Sequence, residues 1–289
     1  EDRYPADLLI SWKMQHEQRI EILTGIAPDR KSNVVLYGAN IGTERSPINY
    51  HGCVEAMFPN WYPATEKPVT LSMVSELKDH SEQFWQAESQ HLTKRFQSKI
   101  SSIIEEESCK HFSLFALAPQ PLLIKLGALL TDKIEVETYQ LHREPKGWFW
   151  QDCTDDFEYI INRPQNMDGK PALVLSLSDN VSHERITRVI GPDTSIWEVT
   201  IKQPHNDFMQ SKQQLSLFRK CIRKLIVEIK NTHGDATPLQ IFPVMPVSCA
   251  VELGRARMPK ADMPWLIYDH DIKTQQFVLA IELRGDLHE

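Results

Sequence analysis

Apolar positions along this chain follow two alternating rhythms, helical spacing and short continuous runs. Residues 4–23, YPADLLISWKMQHEQRIEIL, put Leu8, Leu9, Trp12, His16, Ile20 and Leu23 on one helical face, with Pro5 and Asp7 suited to a first turn. NVVLYGANIG (33–42) is a short apolar run that stops at a glycine-bearing loop, the pattern of a buried strand. Residues 43–72, rich in Pro, Asn, Tyr and Trp, read as mostly irregular and end in a strand-like VTLSM. A long helix is predicted over 80–106, with Phe84, Leu92, Phe96, Ile100, Ile103 and Ile104 on one stripe. LFALAPQPLLIKLGALL (114–130) breaks an apolar run with Pro119 and Pro121 and resumes as a helix carrying Gly127. IEVETYQLHRE (134–144) alternates as a strand should, and GWFWQ closes the half.

The second half follows the same order. ALVLSLSDNV (172–181) and SIWEVTI (195–201) read as strands and 208–231 as a long helix. Residues 239–258, 264–271 and 277–283 supply a strand with a helix and two further strands. Strands alternating with helices predict mostly parallel α/β sheets.

The two halves also share particular residues. Phe115 and Phe242, Pro119 and Pro246, Leu126 and Leu253, and Gly127 and Gly254 all keep a separation of 127 positions, a common frame F-x3-P-x6-LG. The helices before it match as Phe96, Ile100, Ile103, Ile104 against Phe218, Ile222, Leu225, Ile226, and Tyr139 pairs with Tyr268 at an offset of 129. Reused apolar segments make weak self-similarity cheap, but prolines and glycines at one offset point to a duplicated Rossmann-like unit. A proline after a strand suits the first turn of a helix, because its missing N–H had no partner there. The remaining N–H groups and the positive helix end then face the carboxyl edge of the sheet, where ligands of open α/β sheets bind and anions are favoured. Gly127 and Gly254 would let each helix lie close to its sheet or to a partner helix. Two such units suit a roughly symmetric anionic ligand.

Composition narrows the possibilities. The 289 residues, 41 % hydrophobic and 25 % charged, are those of a globular chain of one large or two small domains. A net charge of −7 argues against a broad nucleic-acid track but leaves room for a small anion. Five scattered cysteines without a CxxC pair read as reduced thiols, and neither HExxH, GxGxxG nor GxxxxGK[ST] occurs. No apolar run is long enough to span a bilayer, and the first residues do not resemble a signal peptide, so a cytoplasmic location without membrane contact is expected. The chain starts with Glu, which suggests a fragment or a processed product.

The frame LFALAPQPLLIKLGALL … ETYQL, repeated as IFPVMPVSCAVELGRA … WLIYDHD, resembles the SAVED domain from about residue 30 to the end. That family consists of two fused CARF-like halves and senses cyclic oligonucleotides in bacterial antiphage defence (CBASS). YPADLLISWKMQHEQRI is similar to the helix that closes the HNH nuclease domain of HNH–SAVED effectors; His16 and Glu17 read as helix-surface or linker residues rather than catalytic ones. The resemblance implies residues 1–29 as the remnant of an upstream effector and 30–164 and 165–289 as two CARF-like halves. It implies a ligand in the groove between the halves: a cyclic dinucleotide such as cyclic GMP-AMP, or cyclic triadenylate, made by a partner nucleotidyltransferase. Binding is then expected to drive self-association and activate a DNA endonuclease. Any divalent metal and double-stranded DNA would belong to that missing nuclease domain, leaving this chain with no cofactor, metal site or catalytic residue of its own.

Candidate contacts follow from the sheet-edge rule. Loops after the first strand of each half offer Ala39, Asn40, Ser178, Asp179 and Asn180, and the proline turns offer Gln120 and Ser248. HREPKGWFWQ (142–151) combines cations at His142, Arg143 and Lys146 with rings at Trp148, Phe149 and Trp150, and stacking on an aromatic ring is worth ~1–3 kcal/mol per base. One of Trp148 and Trp150 is expected at the site and the other in the core. Tyr268 and His270 occupy the matching place in the second half, Tyr268 leaning toward a core role, and Lys125 and Arg255 follow the proline turns on what read as solvated helix faces. The competing readings are a CARF-type ring nuclease, with His142, Lys146, Ser178 or His270 assisting attack by a ribose hydroxyl, and a Rossmann-type enzyme without duplication.

Overall fold

The computed structural model describes residues 15, 30–39, 48–72, 81–106, 110–152, 157–271, 274–285 and 287. All of the segment 4–23 except Gln15, with His16 and Glu17, and Asn40 therefore lie outside the described residues.

The first sheet is built on β1 (Lys31–Gly38), β4 (His111–Leu117) and β5 (Glu135–Thr138), all parallel, with the short β2 (Tyr62–Pro63) and β3 (Val69–Thr70) also pairing in parallel with β1. Its helices are α1 (Tyr50–Met57), α2 (Glu82–Phe96) and α4 (Gln120–Leu130); α2 continues through a π-helical turn (Gln97–Ser101) into α3 (Ser102–Glu106). The second sheet contains β6 (Ile160–Asn162), β7 (Lys170–Ser176), β8 (Thr194–Thr200), β9 (Leu239–Val244), β10 (Trp265–Asp271) and β11 (Gln276–Leu283), in the order β11-β10-β9-β7-β8-β6. Its helices are α5 (His183–Ile190), α6 (Lys212–His233) and α7 (Val247–Ala256). The run β5-β4-β1 of the first sheet thus matches β10-β9-β7 of the second, strand for strand and all parallel. Antiparallel β6 and β11 are additions at the edges of the second sheet.

The duplication extends to side-chain geometry. Phe115 stacks on Tyr139 with ring centroids 4.3 Å apart, and Phe242 stacks on Tyr268 at 4.5 Å. Each phenylalanine also meets a second ring edge-on, Trp148 at 5.3 Å in the first half and Phe277 at 5.2 Å in the second. These rings form a separate apolar cluster on one face of each sheet, while the opposite faces share one continuous core that includes Leu114, Leu173, Ile241 and both central helices. Strands covered on both faces account for the unbroken apolar runs of β1, β4 and β7.

The central helices explain the paired glycines. Every residue of α4 from Pro121 to Leu130 is buried. A Cβ at Gly127 would lie 2.0 Å from the Val251 carbonyl oxygen of α7, and one at Gly254 would lie 1.9 Å from the Ile124 carbonyl oxygen of α4. The helices cross backbone to backbone at a contact only glycine allows on both sides.

Two local expectations are corrected and one element is added. The strand expected over 134–144 is only Glu135–Thr138, because beyond it Gln140 turns to the other half and His142 closes a turn by accepting and donating backbone bonds with Gly147. The segment read as irregular holds α1, started by the Asn49 carboxamide oxygen accepting from His51 N–H at 3.0 Å. Helix α5 is an element the sequence reading does not include: it is mostly polar, with Ile186 as its buried residue.

Candidate functional site

The carboxyl ends of both sheets converge on one groove of about 410 Å³. Leu117 enters it from the end of β4, Gln140–Arg143 and Lys146 from beyond β5, Ser178 from beyond β7, Asn206 from beyond β8, and Met245–Val247 from the proline turn after β9. The strand-to-helix corners of both halves are therefore walls of a single cavity.

The groove is braced across the halves. Asp207 accepts the backbone N–H groups of Arg143 at 3.2 Å and Glu144 at 3.3 Å, so the second half clamps the loop that carries the first half's cations. Gln120 donates its side-chain amide to the Met245 carbonyl at 3.0 Å. Gln140 accepts from both the Ser248 hydroxyl at 2.8 Å and the Ser248 backbone N–H at 3.2 Å. The two mouths consequently differ. The amino end of α7 is capped by Gln140, whereas position 121, one repeat before Ser248, is a proline that offers neither hydroxyl nor N–H. The pair of equal anion-ready helix ends expected from the repeat is thus reduced to an unequal pair, and positive charge in the groove comes from Arg143 and Lys146.

Of the residues singled out from sequence, His142, Arg143, Lys146 and Ser178 line the groove, and Gln120 and Ser248 brace it from behind. Ala39 is buried at the end of β1 and donates its N–H to Leu117 O at 3.2 Å. Asp179 accepts from the neighbouring Asn180 N–H at 2.8 Å, a local turn beside Ser178. Trp148 is core, packed on Phe115. Trp150 is half-buried, meets the His142 ring edge-on at 5.9 Å and faces a second cleft. Tyr268 is buried, donates to Gln240 Oε1 at 2.8 Å, and its phenol is pushed up by burial. His270 leans on Phe277 at 5.5 Å. Lys125 is buried rather than solvated: its ammonium donates to Ser89 Oγ at 2.6 Å and burial brings it down to about 8. Arg255, likewise read as solvated, reaches the carbonyls of Thr131, Ile134 and Val136 and the carboxylate of Glu252.

Gln140, Asn206 and Asp207 carried no sequence signal. Position 140 was read as strand, and 206–207 sit in a turn whose importance depends on docking to the other half. A second cleft of about 490 Å³ runs along β5 beside α6, lined among others by Trp61, His111, Glu137, Lys212 and Arg219. There Trp61 stacks on His111 at 3.5 Å and donates to Glu137 at 2.9 Å, and Arg219 donates to Glu252 at 2.6 Å, so its charges are matched internally. Among the described residues, no group of His, Cys, Asp and Glu is placed to hold a metal ion, and no helix is long and apolar enough to cross a membrane.

Residues 92–283 match the model of the SAVED family, described as the SMODS-associated and fused to various effectors sensor domain. The chain belongs to the SAVED family. Among solved structures, this SAVED chain is similar to the Acinetobacter baumannii Cap4 SAVED/CARF-domain containing receptor with the cyclic trinucleotide 2'3'3'-cAAA, at TM-score 0.56 and 12% identity, over 88% of this chain and 51% of that one. The same receptor with 3'3'3'-cAAA gives TM-score 0.54 at 12% identity, over 88% and 52%. The Moraxella osloensis Cap4 SAVED/CARF-domain containing receptor gives 0.51 at 12% identity, over 88% and 50%. The SAVED chain spans about half the length of these receptors, and at this identity the likeness concerns the fold. No curated protein matches it by sequence.

Proposed function

We propose that this SAVED domain is the sensor of a cyclic oligonucleotide, held in the groove between two CARF-like halves, 30–164 and 165–289. One observation carries the reading: Arg143 and Lys146 from the first half face Ser178, Asn206 and the proline turn of the second half across a single cavity at the carboxyl ends of both sheets. A cyclic di- or trinucleotide fits that division, with phosphates toward the two cations and polar base edges toward Ser178 and Asn206. Asp179 and Asn180 form the outer rim. Half-buried Trp150 supports the His142 ring edge-on from behind. The ring comes from a partner nucleotidyltransferase in the bacterial cytoplasm, and its binding drives self-association that switches on an attached DNA-cutting domain of HNH type, which carries its own divalent metal. The sensor itself performs no chemistry.

A thermal-shift panel of cyclic dinucleotides, cyclic GMP-AMP among them, and cyclic triadenylates tests this. One compound at 100 times its Kd should stabilise the fold by about 2.7 kcal/mol, a resolvable rise in melting temperature. Recovery of the bound ring intact supports a sensor, and a linear product would replace it with the ring-nuclease reading. A flat panel overturns the proposal.

A further inference from the structure

The groove contains one group whose placement costs the free protein stability. His142 is 1% exposed, and neither ring nitrogen has a hydrogen-bond partner among the described residues. Buried polar groups are almost always hydrogen-bonded, so such an orphan calls for an explanation. Packing supplies none: the ring's edge-on contact with Trp150 at 5.9 Å would be made as well by a phenylalanine. Its backbone supplies none either, since the Gly147 bonds at 2.8 and 3.4 Å use only the main chain. Arg143 and Lys146, the adjacent cations of the turn, line the groove, and Asp207 braces the turn from the other half. Burial pushes the imidazole down, with Asp207 opposing, so the ring is held neutral, offering one donor and one acceptor. A neutral ring of that kind suits the mixed donor and acceptor edge of a nucleobase rather than a phosphate.

We infer that His142 is a specificity residue that reads a nucleobase edge, left unpaired in the ligand-free protein and paired only when a ring occupies the groove. This rests on the groove being the ligand site. The ring nitrogens are sealed from solvent, so pairing them needs a small outward shift of the 142–147 turn, whose backbone is held by the Gly147 bridge and by Asp207. The free state pays the cost of an unmet donor and acceptor; the bound state recovers it.

The test is the variant His142→Phe, read by melting temperature without ligand and by calorimetric affinity for cyclic triadenylate and cyclic GMP-AMP. We expect the free variant to melt about 2 °C or more above the wild type. For the ring that the wild type prefers, we expect about tenfold or greater loss of affinity, with a smaller loss for the other ring. His142→Gln, which restores a donor and an acceptor, should recover part of the affinity, whereas Lys146→Ala should weaken both rings by a similar factor. A merely structural histidine would give the opposite first result, a lower melting temperature. If the wild type binds a ring and His142→Phe binds both rings as the wild type does, the assignment is overturned while the sensor reading stands. If the wild type binds neither these nor any other ring of the panel, both fall.

Discussion

At Glu252 a charge is almost wholly buried, and its partners show how the halves are held together. Its carboxylate accepts from Thr138 Oγ1 of the first half at 2.8 Å and from Arg219 and Arg255 of the second, while Arg255 also reaches the exposed-edge carbonyls of Ile134 and Val136. A buried carboxylate is tolerable only with this many donors. His111 shows the opposite case. Its Nδ1 meets Ser32 Oγ at 2.8 Å under the Trp61 ring, and burial, which outweighs the Glu137 carboxylate, brings the imidazole from the usual 6.5 to about 4. The folded state therefore holds this ring neutral while the unfolded chain takes up a proton first. Its contribution is intact above pH 6.5 and is lost as the pH falls toward 4. Urea midpoints measured between pH 7 and 4.5 should fall less steeply for His111→Gln than for the wild type. Parallel slopes would show that the ring is already protonated in the fold.

The crossing of α4 and α7 governs the next scale. In an isolated helix, glycine to alanine stabilises by up to about 1 kcal/mol. At position 127 the added methyl would enter the Val251 carbonyl and the Arg255 N–H region of the partner helix, both backbone and unable to swing aside. Gly127→Ala should therefore destabilise, by about 1–3 kcal/mol, with the same sign for Gly254→Ala. Chemical denaturation decides it, and a stabilised variant would mean that the helices part easily. The frame F-x3-P-x6-LG made this element legible beforehand, because each of its residues has a task that few others can perform. The proline starts the helix, the glycine lets it cross, and the phenylalanine stacks on the tyrosine 24 positions later in one half and 26 in the other. What the frame did not reveal was which neighbour the glycine approached.

For the whole molecule, sequence periodicity conveyed the alternation of strands and helices and the duplication, since both rest on patterns local in sequence. The groove was legible only in part. Ser178 follows from the sheet-edge rule, and His142 and Arg143 from cations set among aromatic residues, but Gln140, Asn206 and Asp207 matter because two halves distant in sequence meet, and that meeting leaves no local pattern. Lys125 misled for a related reason. A lone lysine on a helix reads as solvated until the helix turns out to be buried on every side, with Ser89 waiting for the ammonium. The duplication also overstated the symmetry of the mouths, because Pro121 and Ser248 stand at matching positions with opposite hydrogen-bonding capacity.

The central claim is that a cyclic oligonucleotide occupies the groove between the halves, and hydrogen exchange localises it most directly. With a ring found by the thermal-shift panel, the account predicts slowed exchange in 140–147, 177–180, 203–208 and 244–249, drawn from both halves, and little change elsewhere. Protection confined to the cleft of Trp61, His111 and Lys212, or to one half alone, would contradict it.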